Sequence, residues 1–202
     1  MLTGIYQSIA ILITITAFYI TDCYLISRFD RERQAKGSGR SWGFTLLALG
    51  MASLVVIQPI ALPSLGIHTD AWWGICIQGI GLMLVISALG LQVWSRLHLR
   101  QFYAERVEIQ PEHCVIDTGP YAYVRHPFFT ALFMLAFGLL LINPSLSTVI
   151  VAVYTFWDFT RAAKQEEILL SENLVGYTDY MARTPRFIPR FGKQLEDRRY
   201  GR

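Results

Sequence analysis

Charge is what this chain has least of. Only 16% of its 202 residues are charged and 53% are hydrophobic, whereas soluble domains carry roughly 25% charged and about 45 to 50% apolar residues. With a mean hydropathy of +0.36, the composition points to a membrane protein rather than a cytosolic one. Lysine and arginine are absent from most of the length, for all 18 fall within Arg28–Arg40, Arg96–Arg125 and Arg161–Arg202. Cysteine is equally sparse. Cys23, Cys76 and Cys114 lie far apart, with no C-x-x-C and no histidine at metal spacing, so neither a disulfide framework nor a metal site is expected. Tandem repeats and low-complexity stretches are missing too.

What fills the gaps between the basic blocks is apolar. Residues 4–26 are uncharged except for Asp22, long enough at 1.5 Å per residue to cross a hydrocarbon core of about 30 Å. The start, Met1–Thr21, lacks a basic n-region and a cleavage site and reads as a retained span. Residues 42–67 form the second expected span, with Pro59 and Pro63 predicting a kink or an early helix end. The third, residues 71–94, offers Gly74, Gly79, Gly81 and Gly90 for close helix packing. Residues 127–157 carry no charge, but Asn143-Pro144-Ser145 interrupts them with a turn signal. Each half would make roughly 22 Å of helix, short of the ~30 Å core, so 127–142 and 145–160 are expected as a short helical hairpin.

Cytoplasmic loops collect lysine and arginine, so the three basic blocks should share that face, with the N-terminus outside and the C-terminus inside. The expected architecture is therefore all-α: a single multi-pass membrane domain over residues 1–202 with about five transmembrane helices, placed in a bacterial inner membrane. The inner-loop segment RQFYAERVEIQ fits an amphipathic interfacial helix or a short strand equally well. In the tail, 161–202, a helix should continue through AAKQEEILLSENL to Gly176, and RTPRFIPRF, with Pro185 and Pro189, should be extended.

Chemistry-bearing residues gather where the hydrocarbon ends. The stretch GPYAYVRHPFF, Gly119–Phe129, sets Arg125 and His126 directly before an uncharged run. Pro127 suits the first helical position, and the N–H groups of Phe128 to Thr130 would then be unpaired donors at a positive helix end. Arg125 and His126 either add donors to such a site or anchor the helix at the headgroups. Past the last span come Arg161, Glu166 and Glu167. Adjacent helical residues point about 100° apart, so only one of the two glutamates is expected to face a site. Tyr177 and Tyr180 read more readily as interfacial belt residues than as ligands.

Taken together, GPYAYVRHP, a hairpin with a central NP, an R…EE helix, Y-x-x-Y and PRFIP resemble the isoprenylcysteine carboxyl methyltransferase family. The resemblance covers roughly residues 90 to 191. Phe129 and Ala131 stand where the family has tyrosine and glycine, removing a hydroxyl and tightening the backbone at the mouth. The asparagine that follows RHP in related reductases is absent.

The resemblance implies an enzyme using S-adenosylmethionine in a cytoplasmic-face pocket closed by the C-terminal tail. Its acceptor would be a lipophilic, isoprenylcysteine-like acid arriving through the bilayer, carboxyl-methylated at the interface. Tyr121, Val124, Arg125, His126 and Pro127 would hold the cofactor, and Arg161 with Glu166 or Glu167 would flank the reacting centre. Implied partners are a lipophilic or lipidated substrate and membrane lipids, with no nucleic acid and no metal. The alternatives are an NADPH-dependent sterol or enone reductase, a phospholipid N-methyltransferase and a non-catalytic membrane scaffold.

Overall fold

The long apolar runs have nothing to hydrogen-bond with in a lipid core except their own backbone, and helix is the form that satisfies it within each segment. In the computed structural model, described over residues 2–29, 42–67, 72–99 and 115–190, these runs are helices: α1 Gly4–Phe29, α2 Trp42–Ala61, α3 Trp72–Leu99, α4 Pro127–Ile142 and α5 Leu146–Asn173, followed by a short α6, Tyr177–Arg183. Two 3₁₀ turns, Pro63–Leu65 and Gly119–Ala122, complete the order. Among the described residues there is no strand, so the all-α expectation holds. RQFYAERVEIQ, the basic loop around residues 30–41 and the tail beyond residue 190 lie outside the described residues.

Two helices, Gly4–Leu25 within α1 and Trp72–Leu99, are long and apolar enough to cross a membrane; Leu46–Ala61 and Pro127–Ile142 are shorter. Only 28% of each long window is buried, so neither is shielded as the core helix of a soluble protein would be. Some expected boundaries move. α2 stops at Ala61 instead of running to residue 67, because Pro63 diverts the chain into a 3₁₀ turn. α3 continues past residue 94 to Leu99, whereas α5 runs on as a single helix to Asn173, as expected for AAKQEEILLSENL.

At the Asn143–Ser145 turn, Ser145 caps α5. Its hydroxyl accepts from the Thr148 N–H and Thr148 Oγ1 accepts from the Ser145 N–H at 3.1 Å, a reciprocal capping box. The turn is as expected, but α4 packs chiefly against α3 rather than against its hairpin partner α5. The cause is a glycine pair. A Cβ on Gly81 would lie 2.8 Å from the Gly138 carbonyl oxygen, and one on Gly138 2.9 Å from that of Gly81. Only hydrogen at both positions lets the backbones approach this closely.

The turn end of the bundle is tied by buried amides. The Ile142 carbonyl accepts from Gln7 at 2.8 Å and from Gln78 at 3.0 Å, while Gln58 Oε1 accepts from Asn143 at 2.8 Å. These bonds join α1, α2 and α3 to the end of α4, beside a core of Ile11, Val55, Val85, Leu139 and Ile142. At the opposite end, Asp22 accepts from Arg96 Nε at 3.0 Å and from Gln92 at 3.2 Å, linking α1 to α3. The Arg96 guanidinium lies 4.1 Å above the Phe128 ring in the first turn of α4. This second end, where α1 and α3 finish and α4 begins, is the mouth.

Candidate active site

The mouth is built by a bend that glycine makes possible. Gly119 has φ +58, and a Cβ there would fall 2.2 Å from the His98 ring, so its absence lets the 3₁₀ turn close against the end of α3. The turn buries Pro120 and Tyr121, and Val124 is buried after it. Pro127 occupies the first position of α4 with His126 before it.

Residues 184–188 then cross this mouth as a strap. The Arg125 N–H donates to the Pro185 carbonyl at 2.9 Å and the His126 N–H to the Arg186 carbonyl at 3.1 Å. Thr130 Oγ1 donates to the Phe187 carbonyl at 3.0 Å. The tail prolines prevent helix here and leave carbonyls available, as the extended expectation for PRFIP requires. One expectation is corrected: the Thr130 N–H is not an unpaired donor, since it bonds the His126 carbonyl at 3.0 Å and closes the first helical turn.

Beneath the strap the two glutamates differ sharply. Glu167 is buried and accepts from Arg125 Nε at 2.9 Å, from His126 Nε2 at 3.1 Å and from Arg186 Nε at 3.0 Å to each oxygen, with Arg186 Nη2 also bonded to Oε2. Although burial opposes its charge, the hydrogen bonds from His126, Arg186 and Arg125 hold this carboxyl well below the usual carboxylate range. Among the described residues, Glu166 is paired with His126 Nδ1 alone, at 3.5 Å. Burial pushes its carboxyl above the ordinary range; His126 opposes that shift and the neighbouring Glu167 charge adds to it. The phenols of Tyr121 and Tyr177 are pushed up by burial and then by Glu166, which sets both rings within the field of that carboxylate.

Arg125 spends its remaining donors inward: Nη1 bonds the carbonyls of Met181 at 2.8 Å and Thr184 at 2.5 Å. Tyr177 and Tyr180 are buried, not belt residues, because α6 folds back under the mouth and the Tyr180 hydroxyl donates to the Tyr121 carbonyl at 2.7 Å. The sequence-predicted Tyr121, Val124, Arg125, His126, Pro127, Glu166 and Glu167 are thus gathered at one end. Arg161 stands apart. It is exposed, its guanidinium 5.8 Å from the Trp157 ring centre, because six residues along a helix turn it some 120° away from Glu167.

Arg161 instead lines a groove of about 800 Å³ between α4 and α5, with walls that include Phe133, Phe137, Leu140, Val153, Phe156 and Trp157, and with Thr160, Arg161 and Lys164 at the end nearer the mouth. Aromatic rings lead to it from the site. His126 stacks on Phe129 at 5.3 Å, Phe129 meets Phe159 at 5.2 Å, and Phe133 meets both Phe156 and Phe187 at 5.0 Å. Sequence reasoning missed this groove and the role of Arg186. PRFIP was the only signal for the latter, and nothing local joins it to Glu167 across the Gly176 turn.

Residues 80–172 match the sequence model of the isoprenylcysteine carboxyl methyltransferase (ICMT) family. The nickel-cobalt-cadmium resistance protein NccN of Alcaligenes xylosoxydans xylosoxydans is 26% identical over 122 residues, 60% of this chain and 54% of NccN; the chain spans about half the length of that curated relative. The eukaryotic intramembrane Ras methyltransferase ICMT, solved without a monobody, superposes with a TM-score of 0.67 at 23% identity, over 91% of this chain and 67% of that one. The fold is shared with that membrane enzyme.

Proposed function

We propose, for a chain that belongs to the isoprenylcysteine carboxyl methyltransferase family over residues 80–172, that it is an S-adenosylmethionine-dependent carboxyl O-methyltransferase acting on a lipophilic acid at the membrane interface. The observation that carries this reading is the unequal pair of carboxylates. Glu167 absorbs the arginines of the mouth, while Glu166 keeps a carboxylate among aromatic rings and, among the described residues, is paired with the His126 imidazole alone. Such a site suits a zwitterion with cationic sulfur and nitrogen. It does not suit a polyphosphate such as NADPH, for which Arg125 and Arg186 would have to be released from Glu167.

In this reading Tyr121, Val124 and Pro127 form the apolar wall of the cofactor site, and His126 and Glu166 meet its polar end. Arg125 serves by holding Glu167 and the strap. The acceptor's chain lies in the groove between α4 and α5, and Arg161 with Lys164 turns its carboxylate toward the mouth. Held there, S-adenosylmethionine would supply an activated methyl group to an oxygen of the acceptor carboxylate, the carbon–sulfur electron pair staying on sulfur and a methyl ester resulting. No proton moves, so the residues need only hold the two reactants in line and exclude water. The metal resistance in NccN's name is said of that protein and is not carried over to this chain.

The test is a thermal shift in detergent followed by methyl transfer. S-adenosylmethionine should raise the melting temperature and NADPH should not, and label from the methyl donor should appear in a base-labile ester of a farnesylated thiol acid. Stabilisation by NADPH alone would replace this reading with the reductase. Label in phosphatidylethanolamine would replace it with headgroup N-methylation.

A further inference from the structure

The carboxylate clamped by two arginines has a consequence for the histidine beside it. Glu167 Oε1 receives Arg125 Nε at 2.9 Å, Arg186 Nε at 3.0 Å and His126 Nε2 at 3.1 Å. An ionised carboxylate can only accept, so Nε2 must carry a proton. The two guanidiniums of Arg125 and Arg186 balance the two carboxylates that face the ring, Glu167 and Glu166, so no surplus negative charge calls for a second proton on the imidazole. Its orientation is fixed independently. The ring lies flat on Phe129, 5.3 Å between centroids with 5° between planes, and Phe187 of the strap stands 6.0 Å away. What remains is Nδ1, 3.5 Å from Glu166 Oε2.

We infer that Glu167 is a positioning residue that touches neither cofactor nor substrate: held by Arg125 and Arg186, it fixes His126 as the neutral Nε2–H tautomer, so that the Nδ1 lone pair and the Glu166 carboxylate form a paired acceptor for an ammonium group. The two acceptors are close enough for one –NH₃⁺, with its three donors, to bond both. The proton on Nε2 follows from the contact with Glu167, and the free Nδ1 from the balance of charges around the ring. That the ammonium belongs to the amino-acid end of a methyl donor rests on the proposed function.

This assigns different work to two neighbouring glutamates and gives the strap a purpose. Arg186 reaches Glu167 from the same segment whose carbonyls bond the Arg125 and His126 N–H groups. The strap thereby sets both the placement of the ring and its proton. Metal-bound histidines are given their tautomer by a carboxylate on the other nitrogen in the same way.

The experiment is ¹⁵N NMR of the ring nitrogens in the full-length protein in detergent micelles, uniformly labelled at its four histidines, with the His126→Gln spectrum assigning the signal. At neutral pH without ligand, His126 should show a protonated Nε2 and an unprotonated Nδ1. Glu167→Gln, which offers an amide donor to Nε2, should shift the population toward Nδ1–H while far-UV circular dichroism stays unchanged. Adding S-adenosylhomocysteine should move the Nδ1 signal, and its analogue lacking the amino group should not. An Nδ1–H ring or an imidazolium in the wild type overturns the inference even if the protein methylates its acceptor, and so does an unchanged tautomer in a folded Glu167→Gln. If that variant does not fold, the wild-type spectrum alone decides. Conversely, the stated tautomer in a protein that does not bind S-adenosylhomocysteine leaves this assignment standing and removes the methyltransferase reading.

Discussion

The imidazole of His126 lies parallel to the ring of Phe129, at 5.3 Å and within 5°. Phe129 occupies the position at which related sequences carry tyrosine, and here the unsubstituted ring serves as a platform, backed by Phe159 at 5.2 Å. Stacked aromatic pairs contribute about 0.5 to 1.5 kcal/mol beyond burial. Phe129→Ala should therefore weaken cofactor binding by roughly 2- to 12-fold, measured as the dissociation constant of labelled S-adenosylmethionine. Unaltered affinity would show that the ring does not hold the histidine.

The glycine crossing of α3 and α4 predicts a position-specific effect. Gly81→Ala forces a Cβ to 2.8 Å from a carbonyl oxygen, and overpacking of this kind costs about 1 to 3 kcal/mol. Gly79→Ala and Gly90→Ala, on the same helix with nothing within 4 Å, should be neutral or gain about 0.5 to 1 kcal/mol of helix stability. Melting temperatures in one detergent compare the three directly.

Glu166 predicts a pH dependence of binding. Its carboxyl titrates above the ordinary glutamate range because burial penalises the charge, and a cationic ligand prefers the ionised form. Cofactor affinity should rise as pH increases through that raised value and level off above it, with proton release on binding. Glu166→Gln should bind more weakly and without the slope. For stability the sign is opposite: a raised folded value favours the protonated folded form, so this group's contribution falls as pH increases through it. Calorimetric titration in two buffers of different ionisation enthalpy measures the released proton.

The Asp22–Arg96 pair, with side chains 14% and 3% exposed, predicts non-additive energetics. Removing one partner of a buried ion pair costs about 3 to 5 kcal/mol, whereas replacing both by apolar residues of similar volume is often neutral. Asp22→Leu alone should lower the unfolding temperature sharply, and Asp22→Leu with Arg96→Met should recover most of the loss. Equal losses in the single and double variants would mean that the pair contributes by packing over Phe128 rather than by charge.

The helices were legible because a long uncharged run has few other options in lipid, and because Asn143-Pro144-Ser145 breaks the last one where the chain must turn. The mouth was legible too, since Pro127 announces a helix start and the arginine and histidine before it have no apolar role. Faces were not. A helix apolar on every side gives no periodicity from which to read its neighbour, so the pairing of Gly81 with Gly138 could not be found along the chain. The same holds for Tyr177 and Tyr180, whose burial depends on α6 folding back, and for Arg161, whose i+5 and i+6 separations from the glutamates turn it to another side of α5. The unequal fates of Glu166 and Glu167 were foreseen only as a division; which residue took which part was decided by Arg186.

The strap also orders events during synthesis. The backbone N–H groups of Arg125 and His126 donate to Pro185 and Arg186, and the Thr130 hydroxyl donates to Phe187, some sixty residues downstream. Until residues 184–188 are made, the mouth therefore stands open, with those donors wetted and Glu167 lacking Arg186. The pocket is completed late in synthesis, when a short proline-bearing segment arrives and seals it.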